Sequence, residues 1–125
     1  MRDFRAWDNH RKAMCYEITT YSDPDFPFEW TGQWRFENGD KAEFFGNDGK
    51  GNVLLEFTGK EDKNRKKIYE GDLLKWNQKT TFTIYWDERT AGFHATAPHD
   101  MYWFMSQAHM AEVVGNIFEN PELIK

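Results

Sequence analysis

The residues able to do chemistry are few and scattered. Four histidines, His10, His94, His99 and His109, are the candidate metal ligands or proton carriers. A helical ligand pair needs i, i+4 spacing, and no two of them have it. His94 and His99 lie close enough to converge across a hairpin, but no spacing or supporting-residue cue accompanies them. A nucleophile needs a base beside it, and Cys15, Ser22 and Ser106 sit in no such motif. The run from Gly46 to Gly51 lacks the Lys-Ser/Thr ending of a phosphate loop. The carboxylate pairs Asp23/Asp25 and Asp87/Glu88 fall in turn sequences, where solvation is the ordinary reason for charge. No catalytic constellation, metal site or cofactor site emerges, so the expectation is a protein that is not an enzyme.

Charge offers a different chemistry. The net charge is −5, which argues against a non-specific DNA coat, since that needs several basic contacts to phosphate. The distribution is uneven. From Lys60 to Lys79 seven basic residues face four acidic ones, so this segment is +3 and the rest −8. Lys63, Arg65, Lys66, Lys67 and Lys75 form a candidate basic patch. Trp76 beside Lys75 and Lys79 has the pairing of aromatic and cation that single-strand binders use. A solvated charged turn explains the same run more simply.

These side chains must be positioned by strands. Phe4–Trp7 and Met14–Thr19 flank a polar turn and predict an N-terminal hairpin. Two prolines, Pro24 and Pro27, predict a loop over 22–27. Phe28, Trp30, Trp34 and Phe36 share one face of a strand over 28–37, and Gly32 interrupts that row. Asn38-Gly39 predicts a type I′ hairpin turn, with 41–45 returning. Strands then follow at 53–58, 68–69, 73–76, 80–86, 92–96, 101–104 and 112–118. In the fourth of these, Phe82, Ile84 and Trp86 point one way. Ser106 is expected to cap a helical turn, and Asn120 with Pro121 to start a short C-terminal helix. Gly115 is a predicted bulge.

About nine short strands indicate a mostly β fold, either all-β or β-rich α+β. The expected form is small SH3-like, barrel-type antiparallel sheets with one or two short helices near the C-terminus. The 125 residues read as one domain over 1–125, with an N-terminal β-hairpin lobe at 1–51 and a barrel-like lobe at 52–125.

Composition bears on the core. Leu, Ile, Val and Phe make only 24 of 125 residues, while 11 Phe, 6 Trp and 5 Tyr bring 22 aromatics. Each aromatic can bury roughly 150–250 Å², so the expected core is aromatic. Aromatics left over would mark an interface. Trp30, Trp34, Trp76 and Trp103 are the candidates. One cysteine excludes an internal disulfide framework and fits a reducing compartment. No apolar run approaches the roughly 18 residues that cross a bilayer. The segment after Met1 is not expected to be a secretory signal.

Three stretches in order carry a resemblance: Phe4-Arg5-Ala6-Trp7-Asp8; Phe57-Thr58-Gly59-Lys60-Glu61-Asp62-Lys63-Asn64, continuing to Ile68-Tyr69-Glu70-Gly71-Asp72; and Val113-Val114-Gly115-Asn116 through Asn120-Pro121-Glu122-Leu123. Together they resemble the YopX-like proteins of bacteriophages and prophages. The resemblance implies a small, mostly β fold, phage origin, a bacterial host cytoplasm and a homo-oligomer, with no assigned catalytic residue. Its motif residues, Phe4, Arg5, Trp7, Asp8, Thr58, Gly59, Tyr69, Gly71, Asp72, Gly115, Asn116, Asn120 and Pro121, read as structural. The expected role is that of a non-enzymatic, oligomeric interaction protein acting on a phage or host protein. A nucleic-acid-binding small barrel using Lys60 to Lys79 is the alternative.

The chain departs from the resemblance at one point. Family members commonly carry Asn-Gly in the charged turn, and here the pair is Asn64-Arg65. If the turn keeps its geometry, Arg65 must take a positive φ, at about 1 kcal/mol for a residue with a Cβ. Arg65→Gly is therefore expected to leave the melting temperature unchanged or raise it. A clear drop would exclude that geometry.

Overall fold

Two-residue periodicity and turn chemistry fold this chain almost wholly as antiparallel strands. The computed structural model describes residues 3–23, 26–46, 49–76, 80–97, 101–103 and 105–124, with residues 22, 23, 26–28 and 101–103 described by backbone alone. Among the described residues twelve strands form: β1 (Phe4–Asp8), β2 (Ala13–Cys15), β3 (Ile18–Asp23), β4 (Phe26–Arg35), β5 (Lys41–Phe45), β6 (Val53–Glu61), β7 (Lys67–Tyr69), β8 (Asp72–Lys75), β9 (Thr81–Asp87), β10 (Gly92–Ala97), β11 (Met101–Trp103) and β12 (Glu112–Asn116). The mostly β expectation holds. One expected strand, Met14–Thr19, divides into β2 and β3, while the other expected stretches each form one strand. The helical segments near the C-terminus are short 3₁₀ turns, Met105–Met110 and Pro121–Leu123. Ser106 lies inside the first and does not cap it. Asn120 precedes the second without a side-chain capping bond.

The chain divides into two units, Met1–Leu55 and Glu56–Lys125. In the first, β1 and β2 form the expected hairpin, with Trp7 opposite Met14. β3, β4 and β5 make a three-stranded sheet in that order. β3 runs to Asp23 and β4 begins at Phe26, so the stretch expected as a loop is mostly strand. Pro27 is tolerated because β5 reaches only as far as Thr31 along β4. At Pro27 the strand is therefore flanked by β3 alone and behaves as an edge.

The turn at Asn38-Gly39 also differs from expectation. Only Gly39 has a positive φ, at 91°. Gly39 N–H donates to Phe36 O at 2.9 Å, and Phe36 N–H donates to Asp40 O at 2.9 Å. This is a three-residue loop closed by a left-handed glycine, not a two-residue type I′ turn.

Gly32 has a packing reason. It pairs with Phe44 across β4 and β5, and a Cβ at 32 would overlap the Phe44 ring. That ring meets Trp30 edge-on at 5.8 Å and stacks on Trp34 at 6.3 Å. The gap in the aromatic row is thus filled from the neighbouring strand.

In the second unit β11-β10-β9-β8-β12 form one antiparallel sheet, and β7 pairs with the end of β6. Ile68, Leu74, Phe82, Ile84, Ala95, Ala97, Ala108 and Ala111 form its core. The aromatic core expected from composition is corrected here. Ile68, Leu73, Leu74 and Ile84 are all at most 1% exposed, each stabilising the fold by about 1.5–3 kcal/mol. The few aliphatics are concentrated in one place, and the aromatic surplus goes elsewhere. Tyr16, Tyr21, Phe36, Phe45, Trp76 and Trp86 are all exposed.

Gly32→Ala is expected to cost about 1–3 kcal/mol, because the Phe44 ring must leave its seat between two tryptophans. Urea unfolding measures it, and an unchanged midpoint would show that the ring does not need the gap.

Candidate functional site

Between β6 and β7 the chain turns through the basic segment. Asp62 starts the turn. Its N–H donates to Lys66 O at 2.9 Å, and Arg65 N–H donates back to Asp62 O at 3.0 Å. The pattern repeats that of Phe36, Gly39 and Asp40, with Arg65 in the glycine position. Arg65 has φ 63°, so the turn keeps its geometry with a Cβ in place. Lys12 and Ala91 are the other described non-glycine residues with positive φ, and both end hairpin loops.

The Asp62 carboxylate fixes this turn. Oδ1 accepts from Asn64 N–H at 2.8 Å and Lys66 N–H at 2.9 Å. Oδ2 accepts from Val113 N–H at 2.9 Å, which ties the turn to β12. Lys63 N–H donates to Ala111 O at 2.9 Å beside it. Burial of Asp62 pushes its carboxyl up, but three backbone donors and nearby Lys66 outweigh that and hold it below its ordinary 3.8. Sequence reading passed over Asp62, although an aspartate opening a four-residue turn is the available signal.

A groove of about 560 Å³ opens along this turn. Phe57, Lys60, Lys63 and Arg65 line it together with the carboxylates Glu61 and Asp62, and Met105, Ser106 and His109 join them from the 3₁₀ turn. Gly59, at φ 87°, sits where β6 bulges between Phe57 and Glu61. Thr58 Oγ1 donates to Ile68 O at 2.7 Å and accepts from Lys60 N–H at 3.2 Å. The Thr58-Gly59 pair thereby shapes the wall that carries Lys60. Lys67 Nζ lies 5.3 Å over the Phe57 ring.

The remaining motif residues hold turns. Asp72 is buried and accepts Tyr69 N–H at 2.8 Å. Gly71, at φ 88°, donates to Ile84 O and accepts from Ile117 N–H. Above it, burial together with the nearby Glu56 charge pushes the Glu70 carboxyl up. The bulge at Gly115 is present. Its missing Cβ leaves room for the Asn120 side chain, which accepts Asn116 N–H. Asn116 Oδ1 in turn accepts Phe118 N–H and Glu119 N–H, and Pro121 opens the last 3₁₀ turn. In the first unit Phe4 starts β1, Arg5 and Trp7 are buried, and Asp8 accepts from His10 N–H, Arg11 N–H and Trp34 Nε1.

The candidate interface residues separate. Trp30 is 7% exposed, with the Phe44 ring edge-on to it. Trp34 is half-buried, its indole N–H spent on Asp8 at 2.7 Å. Trp76 is 49% exposed at the end of β8. The Trp103 side chain lies outside the described residues. Of the basic patch, Lys63, Arg65, Lys66 and Lys67 are exposed on one turn, while Lys75 is half-buried on β8. Lys79 and His99 lie outside the described residues. The other chemistry-bearing groups stand apart. Cys15 is 1% exposed, and burial pushes its thiol up, so little thiolate forms. His94 meets Thr90 Oγ1 at 2.6 Å. Among the described residues no three His, Cys, Asp or Glu side chains group to hold a metal, and no helix is long and apolar enough to cross a membrane.

Fold and site define a small, mostly β protein with carboxylate-locked turns and an open, cation-rimmed groove. The chain belongs to the YopX protein family, whose match runs over residues 3–125. Its fold is shared with the crystal structure of protein EF1440 from Enterococcus faecalis, at TM-score 0.69 and 24% identity, covering 100% of this chain and 99% of that one. No curated protein matches the chain.

Asp62→Ala is expected to cost about 3 kcal/mol, since it strands three backbone donors. The carboxyl is lowered in the folded state, so its contribution is complete above pH 3.8 and is lost as pH falls through the lowered value. Denaturant unfolding should therefore show the gap between wild type and variant closing in acid. A gap constant down to the acid limb would refute this origin.

Proposed function

We propose that this YopX-family protein is a phage- or prophage-encoded, non-enzymatic interaction protein. In this reading it forms homo-oligomers in a bacterial host cytoplasm and contacts a phage or host protein through them. The observation that carries this is the fate of one apolar stripe. Along β9, Phe82 and Ile84 are 4% and 1% exposed, while Trp86 on the same face is 41% exposed. The stripe runs past the end of its own core. Its cross-strand partner Phe93 packs edge-on against it at 4.9 Å, making a firm aromatic pair at the surface. An aromatic anchor of this kind is what protein interfaces bury first. The aliphatic core of this unit is complete without Trp86, so core packing does not account for its size.

Light scattering on a sizing column tests the proposal. The protein is expected to run as an oligomer whose mass does not change with concentration, and Trp86→Ser to shift it toward monomer while unfolding at a similar temperature. A clean wild-type monomer at tens of micromolar would overturn it.

A further inference from the structure

We propose that the groove between the β6–β7 turn and the 3₁₀ turn Met105–Met110 binds the sugar-phosphate backbone of a single-stranded nucleic acid, with Arg65 as the main phosphate contact. Arg65 occupies the position that Gly39 fills in the matching loop. Lys12 and Ala91 share this backbone at their own hairpin ends, and what sets Arg65 apart is that its side chain lies at a groove. Arg65 lines the groove, and no carboxylate among the described residues pairs with it. Lys60 and Lys63 line the same wall, and exposed Lys66 and Lys67 follow in the chain.

The carboxylates in this wall are largely engaged. Asp62 is 4% exposed, its oxygens taken by backbone N–H groups. Lys63 meets Glu112 at 3.7 Å with both side chains about half exposed, a screened pair that a phosphate can displace. Glu61 is the exposed carboxylate of the lining. Cations beside Phe57 and Met105 suit a polymer that carries both phosphates and flat bases. An acidic peptide would use the cations alone, whereas a base can stack at Phe57 by displacing the exposed Lys67 that lies over its ring. A duplex needs a longer basic track than a chain of net charge −5 supplies.

Arg65→Gly separates binding from folding, because it removes the charge and relieves the backbone. Fluorescence anisotropy with a short labelled oligo(dT) reads the affinity. Wild type is expected to bind at low salt and to weaken steeply when the salt is raised about fourfold. Arg65→Gly should bind about tenfold more weakly, the loss of one charge-assisted contact, while melting no lower than wild type. Lys60→Gln should flatten the salt dependence by about one unit of slope. The proposal fails if wild type does not bind oligo(dT) at low salt. It fails equally if Arg65→Gly binds as tightly as wild type, or if polyglutamate competes as well as the oligonucleotide.

Discussion

A buried aspartate saturated by backbone N–H groups is the interaction on which each unit depends. Asp62 does this in the second unit, joining the β6–β7 turn to β12. Asp8 does it in the first, closing the β1–β2 turn and taking the Trp34 indole. An ionised carboxylate removed from water is unstable unless its lone pairs are filled. Backbone donors in a tight turn fill them at fixed positions, so the charge enforces the turn geometry that satisfies it. Asp72 applies the same device to the turn around Gly71, and Asn116 does so around Phe118 with a neutral amide oxygen as acceptor.

This has a consequence for the groove. Because the hydrogen bonds of Asp62 set the turn, the conformation of Arg65 is imposed on it by its neighbours. The left-handed backbone at 65 is over-determined, and the side chain is carried out to the rim whatever it contacts. Charge in the turn is thus divided by depth. The carboxylate is buried and spent on the backbone, while the lysines and arginine remain at the surface.

Hydrophobic burial is divided as well. The core of the second unit uses aliphatics and alanines around one buried aromatic, Phe82, and the small alanines let β10 pack closely with the Met105–Met110 turn. Aromatics serve the first unit, where Phe44 seats over Gly32 between Trp30 and Trp34. They also populate the surface, at Trp76 and Trp86 above all.

The mostly β class, the family, the Gly115 bulge and the left-handed Arg65 were legible in the residues. The β class and the bulge follow from local rules, side-chain alternation and the room a missing Cβ leaves, whereas the family and the left-handed Arg65 came through the resemblance of three motif stretches, the latter on the condition that the turn kept its geometry. The three-residue loop at Gly39 was not, because the choice between turn types depends on the register of β4 with β5. Nor was strand pairing at Pro27, since whether a proline sits at an edge depends on how far the neighbouring strand extends. Composition could count 22 aromatics but could not say which are buried. That is decided by long-range packing, which buries Trp30 against Phe44 and leaves Trp86, on the same stripe as two core residues, in water. The groove belongs wholly to tertiary structure, because its walls, Lys60 to Arg65 and Met105 to His109, lie far apart in sequence and are held near each other by the bonds from Val113 N–H to Asp62 and from Lys63 N–H to Ala111.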